Sequence, residues 1–180
     1  MNERERGQVQ IKNLASWVVN AKKGDLEAMG NLIEQTQDKL MKFCVYLCRD
    51  THLAQDLCQD AYIKALDKIK KLKEPEKFEI WLFQVTKNLY FDYLRVQKGK
   101  GTVSLEQAPE EAVEAQQDKS FQIRQVLSQM EPEDRLPLVL VDSAGYSYQE
   151  AAEIIGISES ALNSRLFRAR EIFLKKLERN

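Results

Sequence analysis

At 180 residues, 43% of them hydrophobic, the chain can bury one large core or two small ones, which excludes a disordered polypeptide. Its net charge of −1, from 27 Lys and Arg against 28 Asp and Glu, excludes a protein that coats nucleic acid by bulk charge, so any DNA affinity must come from local patches. No apolar run reaches the roughly 20 residues of a membrane span, and the charged opening MNERERGQVQ has no apolar segment behind it, so neither membrane insertion nor a secretory leader is expected.

In chain order, residues 1 to about 10 read as a polar tail. Ile11, Leu14, Ala15, Val18 and Val19 predict a helix that stops near Gly24, and Asp25 caps a second one carrying Leu26, Met29, Leu32 and Ile33 and, further on, Leu40, Phe43, Cys44 and Leu47. Asp50 and Thr51 interrupt. A helix from about Leu53 to Ile69 follows, its inward stripe being Ala54, Leu57, Cys58, Ala61, Tyr62, Ala65 and Ile69. Asp56, Gln59, Asp60 and Asp67 fall opposite, around an outward Ile63. An exposed isoleucine ringed by acceptors suits docking of a partner helix that carries Arg or Lys; an ordinary solvated face with one stray apolar residue fits it equally.

After a basic connector broken at Pro75, the spacing of Phe78, Leu82, Val85, Leu89, Tyr93 and Val96 predicts another helix. Its opposite side holds Gln84, Lys87, Asn88, Phe91 and Arg95, with Trp81 and Asp92 at the margin and Tyr90 near Lys87. Cations for phosphates, with amides and a ring face for unstacked bases, are what an unpaired nucleic-acid strand requires. Trp81 is expected in the core. Residues 97–119 contain two glycines, a proline and a block of acid, the composition of a linker.

Beyond it, Phe121, Val126 and Leu127 mark the inward side of a short helix, Pro132 opens another, and Pro137 should kink or restart it. Residues 145–170 then read as a helix-turn-helix. Ser147 and Glu150 form a capping box, Ala151, Ala152, Ile154 and Ile155 an apolar side, Gly156 a stop, and Ser158 a second cap. In the longer second helix Leu162, Leu166, Ala169 and Phe173 face inward, leaving Ser160, Asn163, Ser164, Phe167 and Arg168 outward, as a helix entering a major groove requires. Charge is segregated to match. Residues 64–100 carry ten Lys or Arg against five Asp or Glu, residues 158–180 six against three, and residues 102–118 five acids with no base.

The order of these features resembles a bacterial sigma factor of the extracytoplasmic-function (ECF) group, within the sigma-70 family. GDLEAMGNLI and HLAQDLCQDAYIKALDKI are similar to the part of that family that binds core RNA polymerase, WLFQVTKNLYFDYLR to its promoter-melting and minus-10 reading region, and LSQMEPEDRLPLVLVDSAGYSYQEAAEIIGIS with ALNSRLFRAR to its minus-35 reading region. The resemblance implies an all-α chain of two small helical domains joined by a flexible acidic linker. After a tail at 1–11, a region 2-like domain would occupy 12–98, the linker 99–118, and a region 4-like helix-turn-helix domain 119–180. It implies that Asp56, Gln59 and Asp60, with Ile63 among them, meet the clamp helices of the polymerase's largest subunit. Lys87, Asn88, Asp92 and Arg95 would meet the melted minus-10 strand, and Ser160, Asn163, Ser164, Arg165 and Arg168 the minus-35 duplex. An anti-sigma protein is a common further partner in the family; the free chain is expected to be a cytoplasmic monomer without cofactor or metal. Gln55, Ala151, Ala161 and Asp142 depart from the family pattern, and Ala161 forgoes a threonine hydroxyl that would open the recognition helix.

Two other classes are weighed against this one. Cys44, Cys48 and His52 recur at i, i+4, i+8, with Cys58 nearby, which suits a zinc or redox sensor if one helix spans them. The chain's three cysteines, an odd number crowded into this short stretch, otherwise fit buried thiols in a reducing compartment. A ligand-sensing helix-turn-helix regulator would account for the second half, yet it leaves the Gln84 to Arg95 stripe without a role. Nothing in the chain suggests an enzyme: His52 is the only histidine, and no nucleophile constellation or Gly-rich phosphate loop accompanies it.

Overall fold

Four polar side chains set the starts of the main helices, each by accepting a hydrogen bond from an otherwise unpartnered backbone N–H. Asp25 accepts from Glu27 and Ala28, Asp50 from Leu53, Ser147 from Glu150 and Ser158 from Ala161. The computed structural model describes residues 13–48, 50–99 and 119–179. Among the described residues every regular element is a helix.

In the first half, α1 (residues 13–21) leads through a turn at Gly24 into α2 (Leu26–Leu47). The next helix is α3 (Thr51–Lys68), which starts two residues earlier than expected because Asp50 supplies the cap. Two 3₁₀ turns, Ile69–Lys71 and Pro75–Lys77, carry the chain to α4 (Phe78–Gly99). Helices α2, α3 and α4 pack on one another around Leu32, Leu40, Phe43, Leu47, Leu57, Phe78 and Leu82, all buried. Phe43 and Phe83 meet at 4.8 Å between ring centroids. Truncating such a ring to alanine typically costs about 3 to 5 kcal/mol. Inside this core the Thr36 and Tyr62 hydroxyls share a hydrogen bond of 2.8 Å, and burial pushes the Tyr62 phenol up to about 12.

The second half comprises α5 (Lys119–Ser128), α6 (Pro132–Leu138), α7 (Tyr148–Ile155) and α8 (Glu159–Leu177). Pro132 opens α6 as expected. Pro137 does not end it: the helix continues to Leu138 and widens into a π turn at Val139–Ser143, where Ala144 N–H reaches back to the Val139 carbonyl at 2.8 Å. The helix-turn-helix forms as its sequence prescribes. Its capping box closes in both directions, and Gly156 leaves α7 in the left-handed region at φ 85°, where a side chain would be strained.

The two halves share one apolar cluster running from Leu14 to Ala169. The contact is chiefly α7 on α4, with α5, α6 and the π turn against α2. The expected linker at 99–118, except Gly99, and the tail at 1–11 lie outside the described residues, as does the Phe121 side chain.

Candidate nucleic-acid interface

On α3 the predicted stripe holds residue for residue. Ala54, Leu57, Cys58, Ala61, Tyr62, Ala65 and Ile69 are all buried, although Ile69 belongs to the following 3₁₀ turn. Asp56, Gln59 and Asp60 are exposed, and Ile63 stands 68% exposed among them. Leaving an isoleucine in water forgoes roughly 1.5 to 3 kcal/mol of burial, which a partner surface could recover.

On α4 the predicted face is rotated. Tyr93 and Val96, expected inside, are 38% and 54% exposed, while Tyr90, expected beside Lys87 on the outer side, is 4% exposed. The reason is a second covering layer. Phe83, Thr86 and Tyr90 form a stripe that the C-terminal half packs over, so α4 is buried on two sides near its middle. Arg135, itself 1% exposed, donates to the Tyr90 hydroxyl at 3.1 Å and to the Leu127 carbonyl at 3.3 Å. Tyr146 meets Phe83 edge-on at 5.1 Å and donates to Glu79 at 2.6 Å. Lys39 pairs with Glu79 and lies 4.0 Å from the Tyr146 ring centre.

This packing changes the surroundings of the residues expected to read an unpaired strand. Lys87 Nζ donates to the Ile155 carbonyl at 2.9 Å and Gln84 Nε2 to the Glu153 carbonyl at 2.9 Å. Burial holds the Lys87 ammonium below its ordinary pKa range. Asn88, Asp92 and Arg95 stay exposed, and Arg95 pairs with Asp92 at 3.0 Å.

Beside them lies a cavity of about 420 Å³ between α3 and α4, lined by Trp81, Val85, Asn88, Phe91, Asp92 and Arg95 and, from α3, by Lys64 and Lys68. Ring faces, an amide and cations converge there, so it offers stacking, edge recognition and charge neutralisation to one unstacked base and its phosphates. Trp81, expected in the core, is half-buried and also forms part of this wall. Lys64 and Lys68 were absent from the expected site. Their i, i+4 spacing at the flank of the α3 stripe was the available signal, but which helix they would face depends on the α3–α4 crossing.

In the helix-turn-helix the wheel holds. Leu162, Leu166 and Ala169 are buried and Phe173 is half-buried, while Ser160, Asn163, Ser164 and Arg168 are exposed, with Arg165 half-buried at the flank. Phe167 is 65% exposed. Ser158 bonds the Ala161 N–H at 3.2 Å, so the absent threonine hydroxyl costs no cap. Asp142 grips Arg170 through two bonds, at 3.1 and 2.7 Å, and so ties α8 to the π turn.

The cysteines do not assemble with His52. Cys48 caps the end of α2, His52 lies exposed in the first turn of α3, and all three thiols are buried. Burial pushes the Cys48 thiol up to about 12, which disfavours the thiolate that metal binding or oxidation needs. Among the described residues no group of three or more His, Cys, Asp or Glu is placed to hold a metal, and no helix is long and apolar enough to cross a membrane.

Comparison with known proteins matches residues 32–99 to sigma-70 region 2 and residues 120–172 to sigma-70 region 4. The chain is 32% identical to the ECF RNA polymerase sigma factor SigM of Bacillus subtilis, across 78% of this chain and 89% of that protein. It is 26% identical to the probable RNA polymerase sigma factor RfaY of Xanthomonas campestris, where 84% of this chain spans only 40% of the relative's length. The solved structure of the sigma factor RpoE from Bartonella quintana, in complex with the anti-sigma factor NepR, superposes with a TM-score of 0.72 at 24% identity, covering 83% of this chain and 96% of that one. At that identity the superposition speaks for the fold.

Proposed function

The chain belongs to the sigma-70 family of RNA polymerase sigma factors, in the ECF group, and from that membership we propose that it binds core RNA polymerase and directs promoter recognition, DNA melting and transcription initiation. The observation that carries the reading is the presence of three chemically distinct surfaces in family order along one chain. An apolar residue ringed by acceptors lies on α3, a cation-, amide- and ring-lined cavity lies beside α4, and a short-polar helix face lies on α8.

In this reading Asp56, Gln59, Asp60 and Ile63 dock on the clamp helices of the polymerase's largest subunit. Lys87, Asn88, Asp92 and Arg95 serve the melted minus-10 strand. Ser160, Asn163, Ser164 and Arg168 reach base edges of the minus-35 duplex, while Arg165, at the flank, meets a phosphate. Residues 12–98 act as the region 2 domain and 119–180 as the region 4 domain, with 99–118 between them. The protein acts in the cytoplasm, and an anti-sigma protein is a partner of the kind seen with its structural neighbour. It performs no chemistry of its own on the DNA. A ligand-sensing helix-turn-helix regulator is disfavoured because the region that such a protein would devote to sensing matches sigma-70 region 2.

Co-purification with core polymerase, followed by transcription from a supercoiled promoter library, tests the proposal. We expect a stable complex and a restricted set of start sites that core alone does not use. Failure to bind core would sink it.

A further inference from the structure

The seam between α2 and α3 holds chemistry that promoter binding does not use. The first helix ends at Leu47 and the second begins at Thr51, so the two pack as an antiparallel pair. Thr36 on α2 and Tyr62 on α3 share a bond of 2.8 Å that sets their register. Toward the connection from that bond, Cys44 lies about two turns along α2 and Cys58 about one turn back along α3. At 0% and 5% exposure they occupy the same seam, and their thiols hydrogen-bond to each other. The bond runs one way. Together with burial it holds the Cys44 thiol well above its ordinary range, while it holds Cys58 below, against the pull of burial. A donor thiol kept protonated beside an acceptor sulfur that favours its anion is the pairing of a resolving with an attacking cysteine.

Cys58 also backs the outward face of α3. Leu57, Cys58 and Ala61 form the inner side of the turns from which Asp56, Gln59, Asp60 and Ile63 project. Facing atoms in so close-packed a seam cannot move without moving the helix.

We propose that Cys44 and Cys58 are an oxidisable pair, converted to a disulfide by hydrogen peroxide, and that the bond switches off polymerase docking by displacing α3. The inference rests on the reading that α3 docks on core polymerase. The Cys58 thiolate attacks one peroxide oxygen, the O–O bond breaks, and the departing hydroxide takes a proton to become water, leaving Cys58 as a sulfenic acid. Cys44 then loses its proton as its sulfur attacks that of Cys58, and the S–OH bond breaks to release a second water. Two thiols are oxidised and one peroxide is reduced to two waters. The thiol contact contracts to an S–S bond of about 2.05 Å, which draws α3 toward α2 and carries the docking residues with it. Cys48, one turn further along α2, takes no part.

The test treats the full reduced chain with hydrogen peroxide and removes the oxidant before any polymerase is added. Intact mass should show the loss of two hydrogens, peptide mapping should place the bond between Cys44 and Cys58, and Cys48→Ser should leave this unchanged while Cys58→Ser abolishes it. Titration of labelled core should show binding roughly tenfold weaker or worse, as when an interface anchor is lost, and dithiothreitol should restore it. A bond through Cys48, a bond between two chains, or over-oxidation without a disulfide would overturn the site. A Cys44–Cys58 bond that leaves core affinity at the reduced value would overturn the switch. If the reduced chain itself does not bind core, the docking reading fails and the switch falls with it, whereas the mapping still decides whether the pair is oxidisable. Mapping of the parent needs no variant, so a Cys58→Ser protein that does not fold leaves the test intact.

Discussion

The outward faces of α4 and α8 have similar chemistry, amides and cations with one aromatic ring, yet α8 leaves its face in water while α4 has half of its own covered by α7. The difference lies in what stands behind each face. On α8 two of the outward groups bond their own helix, Ser164 to the Ser160 carbonyl and Arg168 to the Ser164 carbonyl. On α4 the outward stripe borders Phe83 and Tyr90, large rings whose burial draws in a second layer and brings Lys87 and Gln84 to the end of α7. A polar face stays open when no buried apolar stripe adjoins it, and the outward Phe167 of α8 stands alone at 65% exposure. In this respect α3 sides with α8, since its outward apolar residue, Ile63, stands alone.

Variants at open and covered faces should therefore fail in different ways. The largest effect is expected on α3, where Asp60→Arg combined with Ile63→Ala should cost core polymerase binding about 4 kcal/mol, near a thousandfold, with the melting temperature unchanged. Titration of labelled core measures it, and parental affinity in the folded variant would move the docking surface elsewhere. Next comes the covered seam. Arg135→Ala removes charge-assisted bonds to Tyr90 and Leu127 and should lower stability by about 3 kcal/mol in urea unfolding. Asn163→Ala on the open α8 face should change it by under about 0.5 kcal/mol. Equal losses at the two sites would erase the contrast between them.

On α8 itself, Arg168→Ala or Asn163→Ala should change which minus-35 sequences are selected from a randomised library, by about 1 to 3 kcal/mol of discrimination. Arg165→Ala should lower the use of all sequences alike. The reverse pattern would mean that α8 meets the groove in another rotation. The smallest effects belong to α4. Asn88→Ala should relax base preference at the minus-10 strand, and Lys87→Ala should reduce the salt slope by about one. Permanganate footprinting and salt titration on a premelted template separate the two. An unaltered base preference would remove Asn88 from the reading set.

Sequence alone determined the parts governed by local chemistry. Caps at Asp25, Ser147 and Ser158, the left-handed stop at Gly156 and the buried stripes of α3 and α8 all follow from side-chain period and backbone hydrogen bonding within a few residues, and each is found where the sequence puts it. What only the tertiary structure decided is which polar faces are shared. A helical wheel assigns one inward side, and α4 has two, because Arg135 and Tyr146, 45 and 67 residues away from their partners Tyr90 and Glu79, arrive from the other half of the chain. The cavity holding Lys64 and Lys68 likewise exists only through the crossing of α3 and α4. Long-range packing carries no period along the sequence, so the rotation of α4, the burial of Tyr90 and the engagement of Lys87 could be read only once the helices were placed in space.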